Sequence, residues 1–283
     1  MRTQTSKTLN KTLTYAALIL GSVAMIFPFV WMLLTSFKTQ AESMAVPPQL
    51  LPSQWNLDNF VTALASLPFV NLYVNTALLI VFRVLCAVIF SSMAGYAFAK
   101  LDFPFKKALF TIVLVQMMLP SQIFIIPQYL MLARMGLTNT IFALVFPGLV
   151  SAFGTFFLRQ TYLGIPGEIA EAAYLDGCNK WQTFTRVMFP LTGSSMAALA
   201  IFTAVFAYSD LMWPLICNID LNMMTLSAGL STLSAGLSTL NGQYTTNFPV
   251  LMAGSLLAMI PMVILYLIFQ KQFIQGIAMT GGK

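Results

Sequence analysis

The sequence predicts an all-α polytopic membrane protein, and three observations lead to this fold class. Of its 283 residues, 58% are hydrophobic and only 8% are charged, whereas a soluble domain carries roughly a quarter charged residues. Six apolar stretches are each long enough to cross the ~30 Å hydrocarbon core of a bilayer. Basic residues collect on one side of those stretches, as in cytoplasmic loops. This composition excludes a soluble globular domain and an intrinsically disordered chain.

The six apolar stretches have the length of transmembrane helices, since each offers ~20 largely apolar residues. The first follows a basic start, but its apolar run is too long for a cleaved signal peptide, so we expect a retained span. The predicted spans are 13–36, 71–98, 108–130, 138–162, 190–216 and 248–270. We expect residues 1–12 to be a cytoplasmic segment and residues 13–283 to be a single transmembrane domain.

The distribution of lysine and arginine predicts the orientation. With the N-terminus in the cytoplasm, eleven of the 14 basic residues fall in cytoplasmic segments. Lys38 and Arg134 fall on the outer side, and Arg83 lies within the second span. This asymmetry predicts six transmembrane helices with both termini in the cytoplasm. The net charge of +6 then reflects orientation, and we expect no nucleic-acid partner.

The residue types exclude several kinds of catalytic and metal site. The chain has no histidine, which excludes Ser-His nucleophiles and His-ligated metals. Cys86, Cys178 and Cys217 are far apart, so no cysteine-rich metal site is expected. The tail Gly276–Lys283 approaches a phosphate-binding loop but has glycine where lysine is needed. We therefore expect no catalytic residue and no metal site, and interpret the tail as a flexible end.

The only sizeable predicted cytoplasmic loop, residues 163–189, contains a short helix between helix breakers. Pro166 separates it from the preceding span, and acidic residues in its first turn favour the positive end of the helix dipole. Gly177 stands where a left-handed helix end needs glycine. The pattern predicts a helix over 167–176. From these residues alone it is either a docking element for another protein or a connector lying on the membrane.

The spacing within this loop resembles the EAA loop of ABC importer permeases. The matching pattern is Glu171-Ala172-Ala173, three residues, Gly177, nine residues, then Val187-x-Phe189-Pro190. Further stretches, including 92–100 and 271–276, are similar to the carbohydrate-uptake, MalG-like branch of these permeases. One departure concerns Tyr208 and Ser209, which stand where the family usually shows Trp-Asn.

The resemblance implies a permease subunit of an ATP-driven importer for a sugar or sugar-like solute, in the inner membrane of a bacterium. Its implied partners are a second permease subunit, two ATPase subunits that bind ATP and magnesium, an extracytoplasmic solute-binding protein and the lipid bilayer. The chain itself would bind no cofactor and would not be an enzyme. The implied ATPase-coupling residues are Glu168, Glu171, Ala172, Ala173, Asp176 and Gly177, with Glu171 in a cleft of the ATPase.

Polar residues inside the predicted spans are candidates for the solute path, because such groups are costly in lipid and face the interior or water. Asp210 is the most obvious opposite charge for Arg83. Arg83 either pairs with Asp210 or contacts the second permease. The candidate path residues are Asn75, Arg83, Gln116, Gln122, Tyr208, Asp210 and Trp213. Their alternative role is in interhelical hydrogen bonds and interfacial aromatic contacts.

Two other protein classes remain as alternatives. A stand-alone secondary transporter or channel would need its own energy coupling, and neither an internal repeat nor a filter sequence is evident. An intramembrane aspartyl enzyme would need a second membrane aspartate beside Asp210.

A seven-residue duplication lies in the predicted outer loop 217–247. Residues Ser227–Leu233 recur unchanged as Ser234–Leu240. Two copies are too few for a solenoid, so we expect a duplication tolerated in an exposed loop.

Overall fold

A computed structural model describes the backbone of residues 2–240 and 247–281, and the side chains of residues 11–233 and 247–270. The described backbone is helical and contains no β-strand. The α-helices are α1 (Arg2–Ser36), α2 (Gln40–Ser43), α3 (Asp58–Ser66), α4 (Phe69–Lys100), α5 (Lys106–Met118), α6 (Ile125–Arg134), α7 (Ile141–Val145), α8 (Ala152–Leu163), α9 (Gly167–Leu175), α10 (Lys180–Gln182), α11 (Phe189–Leu191), α12 (Gly193–Ser209), α13 (Met212–Cys217), α14 (Leu226–Leu240) and α15 (Phe248–Gly281). Short 3-10 helices cover Ser121–Phe124, Phe146–Gly148 and Leu221–Met223, and a π-helix covers Thr183–Met188. The side chains of the tail Gly276–Lys283 lie outside this description.

Three predicted spans are continuous helices and three are bent pairs. The continuous apolar segments are Lys11–Ser36, Phe69–Lys100 and Phe248–Gln270. The bent pairs are Lys106–Met118 with Ser121–Arg134 (104°), Ile141–Gly148 with Ala152–Leu163 (46°) and Lys180–Leu191 with Gly193–Ser209 (75°). Counting each bent pair as one span gives up to six spans in the described residues. The cytoplasmic position of the termini stays a prediction.

Each break lies at or near a proline. Pro120 stands between the two helices of the first bent pair, Pro147 precedes the break of the second and Pro190 precedes that of the third. A proline lacks the N–H that would continue the helical hydrogen bonds, and its ring crowds the preceding turn. The sequence analysis predicted the spans 108–130 and 138–162 without their breaks. It placed most of Lys180–Leu191 in the preceding loop and extended the fifth span to 216, whereas α12 ends at Ser209.

The chain divides into two compact units, of which the first comprises residues 1–67 and 230–260. After α1, the segment that leads to α3 is ordered by buried polar contacts. The ammonium of Lys38 donates a hydrogen bond to the Gln49 carbonyl and lies 4.5 Å from the centre of the Trp31 ring. The Asn59 amide donates to the carbonyls of Ser36 and Lys38, at 2.9 Å each.

The second unit comprises residues 68–229 and 261–283, and α4 runs through its centre against α8 and α12. Glycines permit the close approach of α4 and α8. A Cβ on Gly95 would lie 2.8 Å from the Arg159 nitrogen, and one on Gly154 would collide with Ser91. Two buried clusters result: Tyr96, Leu158, Tyr162, Phe184, Met188 and Leu199, and Leu79, Leu132, Ala143, Leu144, Val145, Ala207, Trp213 and Cys217.

The duplication forms a helix rather than an exposed loop. Helix α14 runs through both copies, and Ala228, Gly229 and Leu233 of the first copy are buried. The expectation of an exposed loop was therefore wrong for the first copy. A seven-residue repeat spans nearly two helical turns, so an inserted copy keeps the same residues on nearly the same face. The side chains of the second copy, 234–240, lie outside the described ones.

Candidate functional site

Helix α9 in the predicted cytoplasmic loop begins at Gly167 and ends at Leu175, close to the predicted bounds. Gly177 follows it with a φ of +85°, in the left-handed region. The N–H of Gly177 donates to the Tyr174 carbonyl, and the N–H of Cys178 donates to the Ala173 carbonyl, each at 3.0 Å. These two bonds form a Schellman motif, which satisfies carbonyls at the helix end. The predicted helix and its glycine stop are confirmed.

The outward face of α9 consists of Glu168, Glu171, Ala172 and Leu175, all of them exposed. Their spacing places them on one helical stripe. Leu175 is 89% exposed, which is unusual for so apolar a side chain. In the part of the chain that is described, the carboxylates of Glu168 and Glu171 form no hydrogen bond and no ion pair. This arrangement leaves a carboxylate-rich face with an apolar end open to another surface.

The structure separates the residues predicted to couple to an ATPase. Ala172 is exposed, whereas Ala173 is 6% exposed and lies on the inward side with Ala170. Asp176 forms the helix C-cap and is exposed. Leu175 was missed by the sequence analysis. Its position four residues after Glu171 could have identified it, because that spacing puts both side chains on the same face.

The coupling loop, residues 163–189, is tied to the core at both ends. Before α9, the Lys100 ammonium donates to the Ile165 carbonyl at 2.6 Å, which joins the loop to the end of α4. After α9, the side chain and backbone of Asn179 exchange hydrogen bonds with Gln182, at 2.9 Å each. The Phe184 ring in the π-helix then lies 5.1 Å from the Tyr96 ring of α4. Helix α9 is thus held on the unit rather than tethered loosely.

The second candidate site centres on an ion pair between the buried Arg83 and the partly buried Asp210. The Arg83 guanidinium lies 2.9 Å from the Asp210 carboxylate and donates a second hydrogen bond to the Leu144 carbonyl at 2.7 Å. Gly148 allows this placement, since a Cβ there would lie 2.6 Å from the Arg83 Cδ. Of the two hypotheses for Arg83, the pairing with Asp210 is therefore present. A contact of Arg83 with a second permease stays untested.

Arg83 also lines a cavity of about 720 Å³. The cavity lies where two of the three bent pairs break, between α4, the end of α5, the start of α8 and the later part of α12. Its polar residues are Arg83, Gln116, Ser121, Ser151 and Thr203. Its aromatic residues are Phe153, Phe202 and Phe206. The sequence analysis named Arg83 and Gln116 but missed the hydroxyl residues, because serine and threonine are common in any span.

Two other candidate path residues are buried in structural contacts. The Asn75 amide donates to the carbonyls of Asn222 and Met224 at 2.8 and 3.0 Å. The Trp213 indole donates to the Ala143 carbonyl at 2.7 Å and is 4% exposed. These contacts match the alternative role of interhelical hydrogen bonding.

The remaining two candidates lie outside the cavity. Tyr208 lines a smaller space of about 250 Å³ together with Tyr73. Gln122 is exposed and does not line either space. Of the predicted path residues, Arg83 and Gln116 therefore line the same cavity, and Asp210 is joined to them through its ion pair with Arg83. The other predicted path residues lie elsewhere.

Comparisons with known proteins agree with this architecture. A family model described as binding-protein-dependent transport system inner membrane component matches residues 87–279. The arabinooligosaccharides transport system permease protein AraQ of Halalkalibacterium halodurans is 34% identical over 286 residues, covering 100% of both chains. The sn-glycerol-3-phosphate transport system permease protein UgpE of Escherichia coli O1:K1 is 28% identical, covering 93% of this chain and 94% of its own.

Two further matches extend the comparison. The diacetylchitobiose uptake system permease protein NgcG of Streptomyces coelicolor is 27% identical, covering 92% of this chain and 85% of its own. A crystal structure of a bacterial ABC transporter involved in the import of the acidic polysaccharide alginate contains a chain of similar fold. Its TM-score is 0.79 at 21% identity, and the match covers 94% of this chain and 97% of that chain.

Proposed function

The chain belongs to the family of binding-protein-dependent transport system inner membrane components, and from this premise we propose that it carries a saccharide in an ATP-driven importer. It is a multi-pass permease of the cytoplasmic membrane, which disfavours the alternative of a stand-alone secondary transporter or channel. Relatives named for arabino-oligosaccharides and diacetylchitobiose support a saccharide substrate.

The exposed stripe on α9 is the observation that carries this proposal. The family implies an ATPase partner and a solute-binding partner. We propose that Glu171, with Glu168, Ala172 and Leu175, contacts the ATPase, and that Gly177 sets the end of this coupling helix. In this proposal, ATP and magnesium bind the two ATPase subunits, and a second permease completes the solute path. The chain then has a transport role and performs no chemistry of its own.

The contacts of α9 explain how a movement of the ATPase would reach the solute path. A rigid helix can pass on a displacement only if it is fixed to the elements that must move. The Lys100–Ile165 hydrogen bond fixes the start of the coupling loop to α4. The π-helix leads from its end towards α12. Helices α4 and α12 both line the cavity beside Arg83.

Uptake by the Glu171→Ala variant tests the proposal. We expect ATP-dependent uptake by the complete importer in proteoliposomes to fall about tenfold or more. The reason is that a charge-assisted contact contributes ~1.5–3 kcal/mol. Membrane insertion should be unchanged, because Glu171 is exposed and has no partner among the described residues.

Asp102→Ala is the matched control, since it also removes an exposed carboxylate on the same predicted side. Within the described chain, its only ion pair is the 3.5 Å contact with Lys106, and such surface pairs contribute little. If Glu171→Ala takes up solute as fast as Asp102→Ala, the assignment of α9 as the coupling helix is wrong.

A further inference from the structure

We propose that the cavity beside Arg83 binds an uncharged saccharide, and that the Arg83–Asp210 pair disfavours acidic sugars and sugar phosphates there. This inference rests on the proposed function, because it takes the cavity to be part of a solute path. It goes further by giving the charge class of the solute. That class differs among the relatives, which include proteins named for neutral and for anionic solutes.

The size and position of the cavity fit a small solute. Its volume of about 720 Å³ lies within the ~300–1,000 Å³ usual for small-molecule sites. Its wall includes Ser121 and Ala152, which begin the second halves of two bent pairs. Broken helices are typical of solute sites near the middle of a bilayer, because their freed backbone groups face a polar solute rather than lipid.

The side chains in the wall suit the groups that a saccharide presents. The hydroxyls of Ser151 and Thr203 and the amide of Gln116 can both donate and accept hydrogen bonds, as sugar hydroxyls require. Phe153 and Phe202 add apolar surface for the C–H faces of a sugar ring. A mostly apolar wall with a few polar groups is the usual composition of a small-molecule site.

The net charge of the cavity wall determines whether a neutral or an anionic solute is favoured there. Of the side chains that the structure describes, Arg83 is the only charged one in the wall of this cavity, and it is 9% exposed. The Asp210 carboxylate at 2.9 Å opposes its charge, so the site offers no uncompensated cation from these residues. A carboxylate or phosphate that entered would become a buried charge without a partner, which is strongly unfavourable.

Arg83 nevertheless has N–H groups beyond the two that Asp210 and Leu144 accept. Two of its nitrogens contact Asp210 and the Leu144 carbonyl. The third, Nε, is buried and has no hydrogen-bond partner among the described residues. Burying a donor without an acceptor is unfavourable, so a side-chain movement that brought Nε to the cavity surface would let a solute hydroxyl relieve that cost without adding charge.

The rim of the cavity is apolar and exposed, whereas its floor carries the buried Arg83. Val150 and Phe206 are 67% and 69% exposed, while Arg83 is buried. Under the proposal, the second permease covers this apolar rim and leaves the polar floor open to solute.

Protection of an introduced cysteine tests the inference in the complete importer. Ala152→Cys places a thiol in the cavity wall, and a water-soluble maleimide reports its access in nanodiscs. The solutes are arabinotriose, diacetylchitobiose, sn-glycerol 3-phosphate and an alginate disaccharide at equal concentration. We expect at least one neutral saccharide to slow labelling about fivefold or more, and neither anion to do so.

Two controls define the signal. Gln54→Cys lies on an exposed part of residues 37–70, a predicted outer segment that belongs mainly to the first unit, and no solute should change its labelling. The unsubstituted chain gives the background from its own three cysteines.

Asp210→Asn leaves the Arg83 charge uncompensated, so the anions should now protect Ala152→Cys.

Each contrary result has a definite meaning. Protection by the anions when Arg83 and Asp210 are both present overturns the charge argument. So does the absence of anion protection in an Asp210→Asn importer that assembles and in which a neutral saccharide still protects Ala152→Cys. Absence of protection by any solute, or no labelling without solute, shows that the cavity is not a solute site. If ATP-dependent uptake of a saccharide persists in those cases, only this inference fails. If the importer takes up no saccharide, the proposed function fails instead.

Discussion

The coupling loop and the cavity beside Arg83 belong to one unit but are built in opposite ways. The hydrogen bonds that end α9 join residues three and five positions apart. The bonds of Arg83 reach across 127 positions to Asp210 and 61 to Leu144. The loop exposes its candidate contact residues, whereas the cavity buries its charged one. A substitution in the loop should therefore change function with little effect on folding, and one at the ion pair should change folding first.

The largest expected effect comes from breaking the ion pair. Arg83→Met leaves the Asp210 carboxylate and the Leu144 carbonyl without their partner. Removal of one member of a fully buried pair costs about 3–5 kcal/mol, and the 24% exposure of Asp210 lowers this cost. We still expect the largest loss of folded protein among these variants, measured as thermal stability and yield in mild detergent.

The double variant Arg83→Met/Asp210→Leu is the matched control. It removes both charges, and such replacements are often neutral or stabilising. We therefore expect it to recover most of the lost stability while uptake remains impaired. Equal destabilisation in the single and double variants would contradict the role of this pair in folding.

Substitution of Gly177 should have an intermediate effect, and this effect should be confined to the coupling loop. Its φ of +85° is unfavourable for other residues, although no atom lies within 4 Å of the position that a Cβ would occupy. The left-handed conformation costs an L-residue roughly 1–2 kcal/mol, and a β-branched one suffers most. We expect Gly177→Val to disturb the end of α9 and to lower uptake per ATP hydrolysed.

Gly177→Asn is the control for this backbone argument, because asparagine tolerates the left-handed helix end better than valine. It should retain most of the coupling between uptake and ATP hydrolysis. An equal loss in both variants would mean that the glycine is required for a close contact with the ATPase rather than for its backbone conformation.

The sequence predicted the elements that local signals determine. Composition identified the membrane class, and the apolar stretches coincide with continuous or bent helices. Pro166 and Gly177 bounded α9 to within one residue of its end. Each of these features depends on neighbours in the chain, so a single sequence contains the information needed.

The features that the sequence analysis missed depend on tertiary contacts. The break near Pro147 was missed because apolar residues continue on both sides of that proline. The burial of Ala228 in α14 was missed because small and hydroxyl residues are equally common in loops. Gly148 has no local signal for its role, since that role is to make room for Arg83.

Truncation of Leu175 tests the exposed face of α9, with a smaller expected effect than the variants above. Because it is 89% exposed, Leu175→Ala should change the stability of the chain by less than about 0.5 kcal/mol. If the ATPase covers this side chain, its truncation should weaken the complex about tenfold, which corresponds to a contact worth about 1.4 kcal/mol. Co-purification of the ATPase over a range of concentrations measures this loss.

Val46→Ala is the control for Leu175→Ala, since Val46 is 93% exposed and lies on the outer segment. It should leave both stability and ATPase binding unchanged. Equal binding of the ATPase by the two variants would remove Leu175 from the proposed contact.

The smallest expected effect concerns Glu42 on the outer segment, which is built locally like the coupling loop. Its carboxylate accepts hydrogen bonds from the backbone N–H groups of Thr39 and Ser53, at 2.8 and 3.0 Å. These bonds lower the pKa of Glu42 from its ordinary value of 4.5. The ionised form is therefore favoured in the folded segment, and its stabilisation is present above pH 4.5 and lost as the pH falls through the lowered pKa. Because Glu42 remains partly accessible to water, hydrogen exchange of the Thr39 and Ser53 amides should show only slightly weaker protection in acid, and Glu42→Gln should remove that dependence. An identical pH dependence in both chains would mean that the segment is held by its buried Lys38 and Asn59 contacts alone.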